Sequence, residues 1–375
     1  MNSRLSIVHT EASLGWGGQE LRILAESQGL MRRGHELRLI CAPQARIYTE
    51  APAWGLPVIA APIGEKGLAG LKWMTQWFLR NRCDVISTHS STDSWLAALA
   101  MLLLGRRYPI VRTRHISAPV PKNLLTRWLY TGATSRIVTA GTALRRELIE
   151  TNGFPAARID SVPTGIDTER FRPGDRSAVR KALGLPVGRP LVGIVATLRS
   201  WKGHLYLIEA FAGLPKTVGL VIVGDGPMRA QLEARVDKLH LRERTVFAGN
   251  QTDVVPWLQA IDLFALPSYA NEGVPQALVQ AMLTGLPCVT TDVGSIAEVA
   301  TDGRTALVVA PRDVPALRAA LGRLLDDGVL REQLGTTARG HCAANFSYER
   351  MLDEMERIYR QASGKPPPPS TKGKA

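Results

Sequence analysis

Glu272 stands in the stretch NEGVPQALVQAM, Asn271–Met282, in a loop directly ahead of a helix-like segment, and Gln280 follows eight positions later. A carboxylate in such a loop can accept hydrogen bonds from the hydroxyls of a sugar, and the amide of Gln280 can offer a ribose diol both a donor and an acceptor. Pro275 suits the first turn of a helix, so the N–H groups after it lack partners inside the helix, and a diphosphate would satisfy them. Gly273 and Val274 carry the chain from the carboxylate to that turn. The bland alternative for Glu272 is a capping carboxylate, because negative charge is favoured beside a helix N-terminus in any case.

Two cations, Arg199 and Lys202 in ATLRSWKGH, follow another strand-like run. Placed at a strand end they suit a diphosphate through charge-assisted contacts; otherwise they are solvated surface charges. Glycines mark three further loops. Gly15, Gly17 and Gly18 in LGWGGQE lie between the first strand-like run and the first helical one, where backbone can approach a phosphate closely or simply turn tightly. Gly224 and Gly226 in VGDGP, and Asn250 in FAGNQTDV, lie at later strand ends where a base or ribose could rest against the backbone.

These residues need a scaffold that brings strand ends together. LSIVHT, ELRLICA, DVIST, PIVRTRH and RIVTAG alternate with helical patterns such as Gln19–Arg33, which is the rhythm of parallel sheets built from strand–helix–strand units. After a turn-rich stretch between Pro163 and Pro190 the rhythm restarts with PLVGIVATL, VGLVIVGDG, RTVFAGN, LFALPS, PCVTTDV and ALVVAP. At 375 residues two domains are expected, so the fold class is α/β with two doubly wound, Rossmann-like domains facing a central cleft. FSYERMLDEMERIYRQA has the spacing of a terminal helix, and GKPPPPSTKGKA the composition of a disordered tail.

A formal charge of +13 and a pI near 10.0 point to an anionic partner. Between Asp93 and Glu147 no acidic residue intervenes, whereas Arg106, Arg107, Arg112, Arg114, Lys122, Arg127, Arg136, Arg145 and Arg146 do. KNLLTRWLY inside that window mixes cations with bulky apolar residues, as an interfacial helix on lipid headgroups does, or as a solvated basic face with a buried apolar side does. The apolar run Trp95–Leu104 is too short to cross a bilayer and reads as a buried helix. No export signal is evident, so a cytoplasmic location is expected, possible peripheral contact with the inner membrane included. Cys41, Cys83, Cys288 and Cys342 have neither metal-ligand spacing nor the density of a disulfide framework, and read as buried thiols.

From the first strand to about Gln361 the chain resembles the family 4 retaining glycosyltransferases of the GT-B fold. The resemblance is carried by GWGGQE, MRRGHELRLI, VPTGIDTERFRPG, LRSWKGH, VGDGPMRAQLE, LPSYANEGVPQALVQAM, GLPCVTTDVGSIAEV and FSYERM. It implies an acceptor-binding domain over 1–170, a nucleotide-sugar-binding domain over 171–345, a helix over 346–362 returning to the first domain, and a tail over 363–375. It also implies transfer of a sugar, with retention, from a nucleotide diphosphate, most often UDP, to a cell-envelope glycan or glycolipid such as lipopolysaccharide core. In this resemblance Glu272 matches the first glutamate of a paired motif that holds the donor sugar, and Gln280 stands where the second is usual. Lys202 matches a lysine that neutralises the diphosphate; the usual arginine five positions before it is Thr197 here, with Arg199 as its substitute. His115 matches a histidine near the donor sugar, and Gly17 and Gly18 a loop facing the phosphates.

No Asp-X-Asp signature is present, so neither a metal nor a cofactor is expected, and the nucleotide sugar is a substrate. With no second carboxylate evident across the reacting carbon, departure and attack on one face are expected instead of double displacement. Two other readings stand beside this one: a nucleotide-sugar 2-epimerase, which has the same architecture, and a non-catalytic nucleotide-sugar or nucleic-acid binder, which the charge suggests. The absence of a clustered basic and aromatic recognition motif argues against nucleic acid.

Overall fold

Short aliphatic runs separated by helices can hide both of their faces only in a parallel sheet covered on each side. A computed structural model shows two such sheets, describing residues 4–115, 119–270 and 272–366. The chain divides into one unit of residues 1–164 with 349–375 and a second of residues 165–348.

In the first unit seven strands pair in parallel throughout: β1 (Ser6–Glu11), β2 (Glu36–Cys41), β3 (Val58–Ala60), β4 (Val85–Thr88), β5 (Ile110–Arg114), β6 (Arg136–Thr139) and β7 (Ile159–Ser161), in the order β3-β2-β1-β4-β5-β6-β7. Val8 sits between Arg38 and Ile86 in register, and with Ile40, Ile86, Met74, Phe78 and Leu96 it forms part of a buried core. The second unit holds β8 (Leu191–Val195), β9 (Gly219–Val223), β10 (Thr245–Gly249), β11 (Leu263–Leu266), β12 (Cys288–Thr290) and β13 (Leu307–Val308), in the order β10-β9-β8-β11-β12-β13, again all parallel. Both sheets have the order and direction of doubly wound, Rossmann-like domains, as expected from the sequence.

The terminal helix Tyr348–Ser363 packs as part of the first unit from Glu349 onward. Met351, Leu352, Met355, Ile358 and Tyr359 lie on its buried face, and its exposed acids Glu349 and Asp353 pair with Arg33. The Tyr359 hydroxyl reaches Glu26 at 2.7 Å and Ser87 at 2.9 Å, and the fully buried Arg22 donates to the Val162 carbonyl at 2.6 Å. This helix is held to the first unit by both buried apolar surface and polar clasps.

Three expectations from sequence change here. Arg112 and Arg114 do not belong to a basic surface: Arg112 is buried with its guanidinium 4.3 Å from the centre of the Tyr130 ring, and Arg114 donates to the Tyr130 hydroxyl. They sit on β5, where a long side chain stacked on an aromatic face satisfies its charge inside the fold. Arg136 is likewise held by Asp160 at 2.6 Å. Lys365, assigned to the tail, is tied to Asp84 at 2.7 Å and to the Arg4 carbonyl; residues 367–375 lie outside the described residues. The helix expected at Trp95–Leu104 runs Ser91–Leu103 behind a Ser90/Asp93 capping box, and among the described residues no helix is long and apolar enough to cross a membrane. All four cysteines are buried and free.

Tyr359→Phe should destabilise the first unit by about 1–3 kcal/mol, because Glu26 and Ser87 keep their burial and lose a partner. Thermal unfolding of the full chain checks this; an unchanged midpoint would mean that apolar packing alone holds the helix.

Candidate functional site

In a doubly wound sheet the loops leaving the two central strands turn to opposite faces, and a crevice opens at their carboxyl ends. The reversal falls between β8 and β11 in the second unit and between β1 and β4 in the first. The polar residues of each sheet concentrate at these points.

In the second unit β8 runs into a loop, a single 3₁₀ turn at Ser200–Lys202, and the helix His204–Ala212. β11 runs into Pro267–Pro275 and the helix Gln276–Leu283. Backbone contacts fasten the two loops together: Tyr269 N–H donates to the Trp201 carbonyl at 2.9 Å. Gly203 adopts φ +78°, and a Cβ there would lie 2.0 Å from the Pro267 carbonyl oxygen, so only glycine permits the approach. The result is a buried Glu272 whose two oxygens receive the Lys202 ammonium at 2.6 and 2.9 Å, while the Ser268 hydroxyl donates to Oε1 at 2.7 Å. Gly294 closes the other side at φ +62°, where any Cβ would strike the Glu272 carbonyl at 2.1 Å.

The other sequence-derived residues of this unit surround the same strand ends. Gly224 packs against the Ala196 carbonyl and Gly226 against Leu198, both with positive φ, which knits the loop after β9 to the loop after β8. Arg199 and Asn250 are exposed, with the Arg199 guanidinium 5.7 Å from the Trp201 ring centre. Val274 is buried in the core, so only its backbone is available to a ligand. Pro275 is the N-cap and not a first-turn residue; its extended backbone lets its carbonyl accept from both Leu278 and Val279 at 3.1 and 3.2 Å. Gln276 and Gln280 are partly exposed, and the Gln280 amide makes no side-chain hydrogen bond among the described residues.

In the first unit His9, Thr10 and Glu11 end β1, and His89 and Asp93 follow β4. Thr10 donates to Asp93 at 2.7 Å; Glu11 accepts from Ser13 N–H at 2.7 Å and from Gln19 at 2.5 Å, which folds the loop over 12–17. Burial first, then the charge of Asp93, pushes the Glu11 carboxyl up to about 8, so it is protonated at neutral pH. Gly17 is extended at φ 178° and a Cβ there would meet little, so this glycine leaves open space at the mouth of the helix Gly18–Arg32 without being required by the turn. His115 follows β5, half-buried, with Nε2 3.0 Å from His89 Nδ1.

Two family models match the chain: glycosyltransferase family 4 over residues 16–170 and glycosyl transferases group 1 over residues 175–341. The lipopolysaccharide core biosynthesis mannosyltransferase LpsB of Rhizobium meliloti is 32% identical over 252 residues, covering 62% of this chain and 72% of that protein. The chain belongs to glycosyltransferase family 4. A D-inositol 3-phosphate glycosyltransferase of Xylanimonas cellulosilytica is 28% identical over 94% of this glycosyltransferase and 93% of its own length. Among solved structures, Anabaena Alr3699/HepE in complex with UDP-glucose superposes with a TM-score of 0.84 at 22% identity, covering 96% of this chain and 100% of that one.

Sequence reasoning picked Lys202 and Glu272 separately and gave them different tasks, whereas the glycosyltransferase pairs them. It passed over Ser268, Gly203 and Gly294, and in the first unit His9, His89, Glu11 and Asp93. The usable signal was a polar residue at the last positions of an otherwise aliphatic strand, as in SIVHTE and VISTH.

Lys202→Met leaves a buried carboxylate without its counter-charge and should cost about 2–3 kcal/mol, less than for a fully buried pair because the lysine side chain is 20% exposed. Glu272→Gln should cost less, since the lysine can turn to solvent, and the double variant should recover part of the Lys202→Met loss. Equal thermal shifts for both single variants would contradict this asymmetry.

Proposed function

We propose that the enzyme moves a hexose from UDP to a hydroxyl of a cell-envelope glycan or glycolipid, retaining the anomeric configuration. The second unit holds the donor and the first the acceptor. The observation that carries this reading is the buried Lys202–Glu272 pair at the reversal point of the second sheet, where fixed charge of both signs meets a crevice. Two of the three ammonium N–H groups are directed at Glu272, and the remaining one is available to a diphosphate oxygen. One lysine can therefore bridge the carboxylate that holds sugar hydroxyls and the phosphate that leaves. Exposed Arg199 adds a second cation, so leaving-group charge is met by side chains and not by a divalent ion. Departure and attack on one face, with the leaving phosphate taking the acceptor proton, then give retention. The names of the relatives support a hydroxyl-rich acceptor: one acts on an inositol phosphate and one on lipopolysaccharide core, and the Anabaena structure binds UDP-glucose.

We further infer that the first unit meets an anionic membrane, where a lipid-linked acceptor would lie. Leu124 and Leu125 are 84% and 70% exposed on a short helix, Leu124–Arg127, flanked by exposed Lys122 and Arg127. Apolar side chains among cations suit the boundary between headgroups and acyl chains.

In a thermal-shift panel of UDP-, GDP- and ADP-sugars, a UDP-sugar at 100 times its dissociation constant should stabilise by about 2.7 kcal/mol. Stabilisation by GDP-sugars alone would overturn the choice of base. Gln280→Glu should stay active and Gln280→Leu should bind donor more weakly; a natural enzyme inert with every donor beside an active Glu variant would overturn catalysis itself. Flotation with phosphatidylglycerol vesicles should be lost in a Leu124→Asp, Leu125→Asp double variant, and equal flotation would remove this helix from the membrane contact.

A further inference from the structure

Three imidazoles in the first unit touch in series. His9 Nδ1 lies 2.8 Å from His89 Nε2, and His89 Nδ1 lies 3.0 Å from His115 Nε2. The rings stack in the same order, with centroids 5.1 and 5.3 Å apart. Burial pushes His9 down to about 3 and holds His89 and His115 well below the ordinary imidazole range, with nearby cations and rings acting in the same direction. Each ring is then neutral at pH 7, with one N–H and one bare nitrogen.

Each contact needs one donor and one acceptor, so only two arrangements satisfy both. If His9 donates from Nδ1, His89 must donate from Nδ1 to His115, and His115 carries its own proton on Nδ1. If His115 donates from Nε2, His89 donates from Nε2 to His9, and every ring carries its proton on Nε2. The three rings share one tautomer in either case.

Neighbouring groups select between the two. Arg22 is fully buried with Glu26 3.6 Å away; burial pulls the guanidinium down and pushes the carboxyl up, and each group opposes the other's shift. The Tyr359 hydroxyl has one proton and directs it to the shorter of its two contacts, Glu26 Oε1 at 2.7 Å. Ser87, 2.9 Å from the Tyr359 oxygen, then gives that oxygen its own proton. Its oxygen is left to accept, as the longer branch at 3.3 Å, from the same His89 Nε2–H that His9 Nδ1 accepts at 2.8 Å. That places the His89 proton on Nε2, with those of His9 and His115. Of the three rings' N–H groups, that of His9 Nε2 is buried without a hydrogen-bond partner among the described residues.

We propose that His9, His89 and His115 form one tautomeric unit that holds Nδ1 of His115 as a hydrogen-bond acceptor for a hydroxyl of a bound sugar or polyol. His89 and His9 are positioning residues acting through His115. The assignment of a hydroxyl ligand rests on the function proposed above; the tautomer assignment rests on the hydrogen-bond geometry of three neutral, buried rings.

The test is a long-range proton–nitrogen spectrum of the full chain labelled with ¹⁵N-histidine at pH 7, assigned by single substitutions. The expected result is three neutral rings, each protonated on Nε2. In His89→Leu the fixed polarity is lost, and His115 should populate both tautomers. His89→Gln should keep His115 on Nε2, because the amide oxygen accepts from His115 while its N–H donates to His9 Nδ1. Sugar transfer should fall roughly tenfold in the Leu variant, about one hydrogen bond's worth, and recover most of that in the Gln variant. A proton on Nδ1 of His115, rings protonated on different nitrogens, or a doubly protonated ring at pH 7 overturns the proposal. The natural protein's spectrum decides it even if His89→Leu does not fold. The expected tautomers together with no transfer activity would overturn the proposed function and leave the imidazole series standing.

Discussion

A parallel sheet wound outward in both directions must have one pair of neighbouring strands whose following connections diverge. Everything chemical in this enzyme depends on that divergence. Helices cannot cover the carboxyl ends of β8 and β11, or of β1 and β4, because the chain leaves each pair toward opposite faces. Away from these points each sheet is packed on a core of buried, mostly aliphatic side chains. At the divergence points the same strands end in His9, Thr10 and Glu11, or open into loops carrying Lys202 and Glu272. Ligand-directed polarity is confined to places where the topology alone prevents burial by a helix.

The fold was legible because the periodicity that decides strand against helix is local, and because most strands carry a short aliphatic run such as SIV, LVGIV or GLVIV. Glu272, Lys202 and the glycine loops were legible because their residue types are unusual at strand ends. Their pairing was not, since 70 residues separate the lysine from the carboxylate and only the adjacency of β8 and β11 joins them. The glycines that enforce the joining were harder still. Gly203 and Gly294 are required by a carbonyl oxygen two ångströms from where a Cβ would be, and that oxygen belongs to a distant loop. Gly17, which the sequence singled out, carries no such conflict.

Charge was the least reliable guide. A window rich in arginine suggests a basic face, yet Arg112 and Arg114 are held by Tyr130 and Arg136 by Asp160. A guanidinium can satisfy its donors on carbonyls and aromatic faces, so its place in the sequence says little about its exposure. What remains outward in that window is a smaller group that includes Arg106, Arg107, Lys122, Arg127 and Arg146, beside two exposed leucines. The membrane reading depends on this narrower set and on Leu124 and Leu125 more than on net charge.

The glutamine at position 280 has a physical rationale in the same terms. Glu272 is paired with Lys202, so on the proposed donor reading the two together bring no net charge to the crevice that would take the diphosphate. A second carboxylate one turn along the helix from Gln276 would add an uncompensated negative charge near the phosphates, in surroundings where charges are weakly screened. An amide keeps a donor and an acceptor for a diol and adds no such repulsion. On that same reading, with Arg199 exposed and Thr197 standing where the resemblance has an arginine, little positive charge would be set against a second acid, and Gln280 fits that deficit.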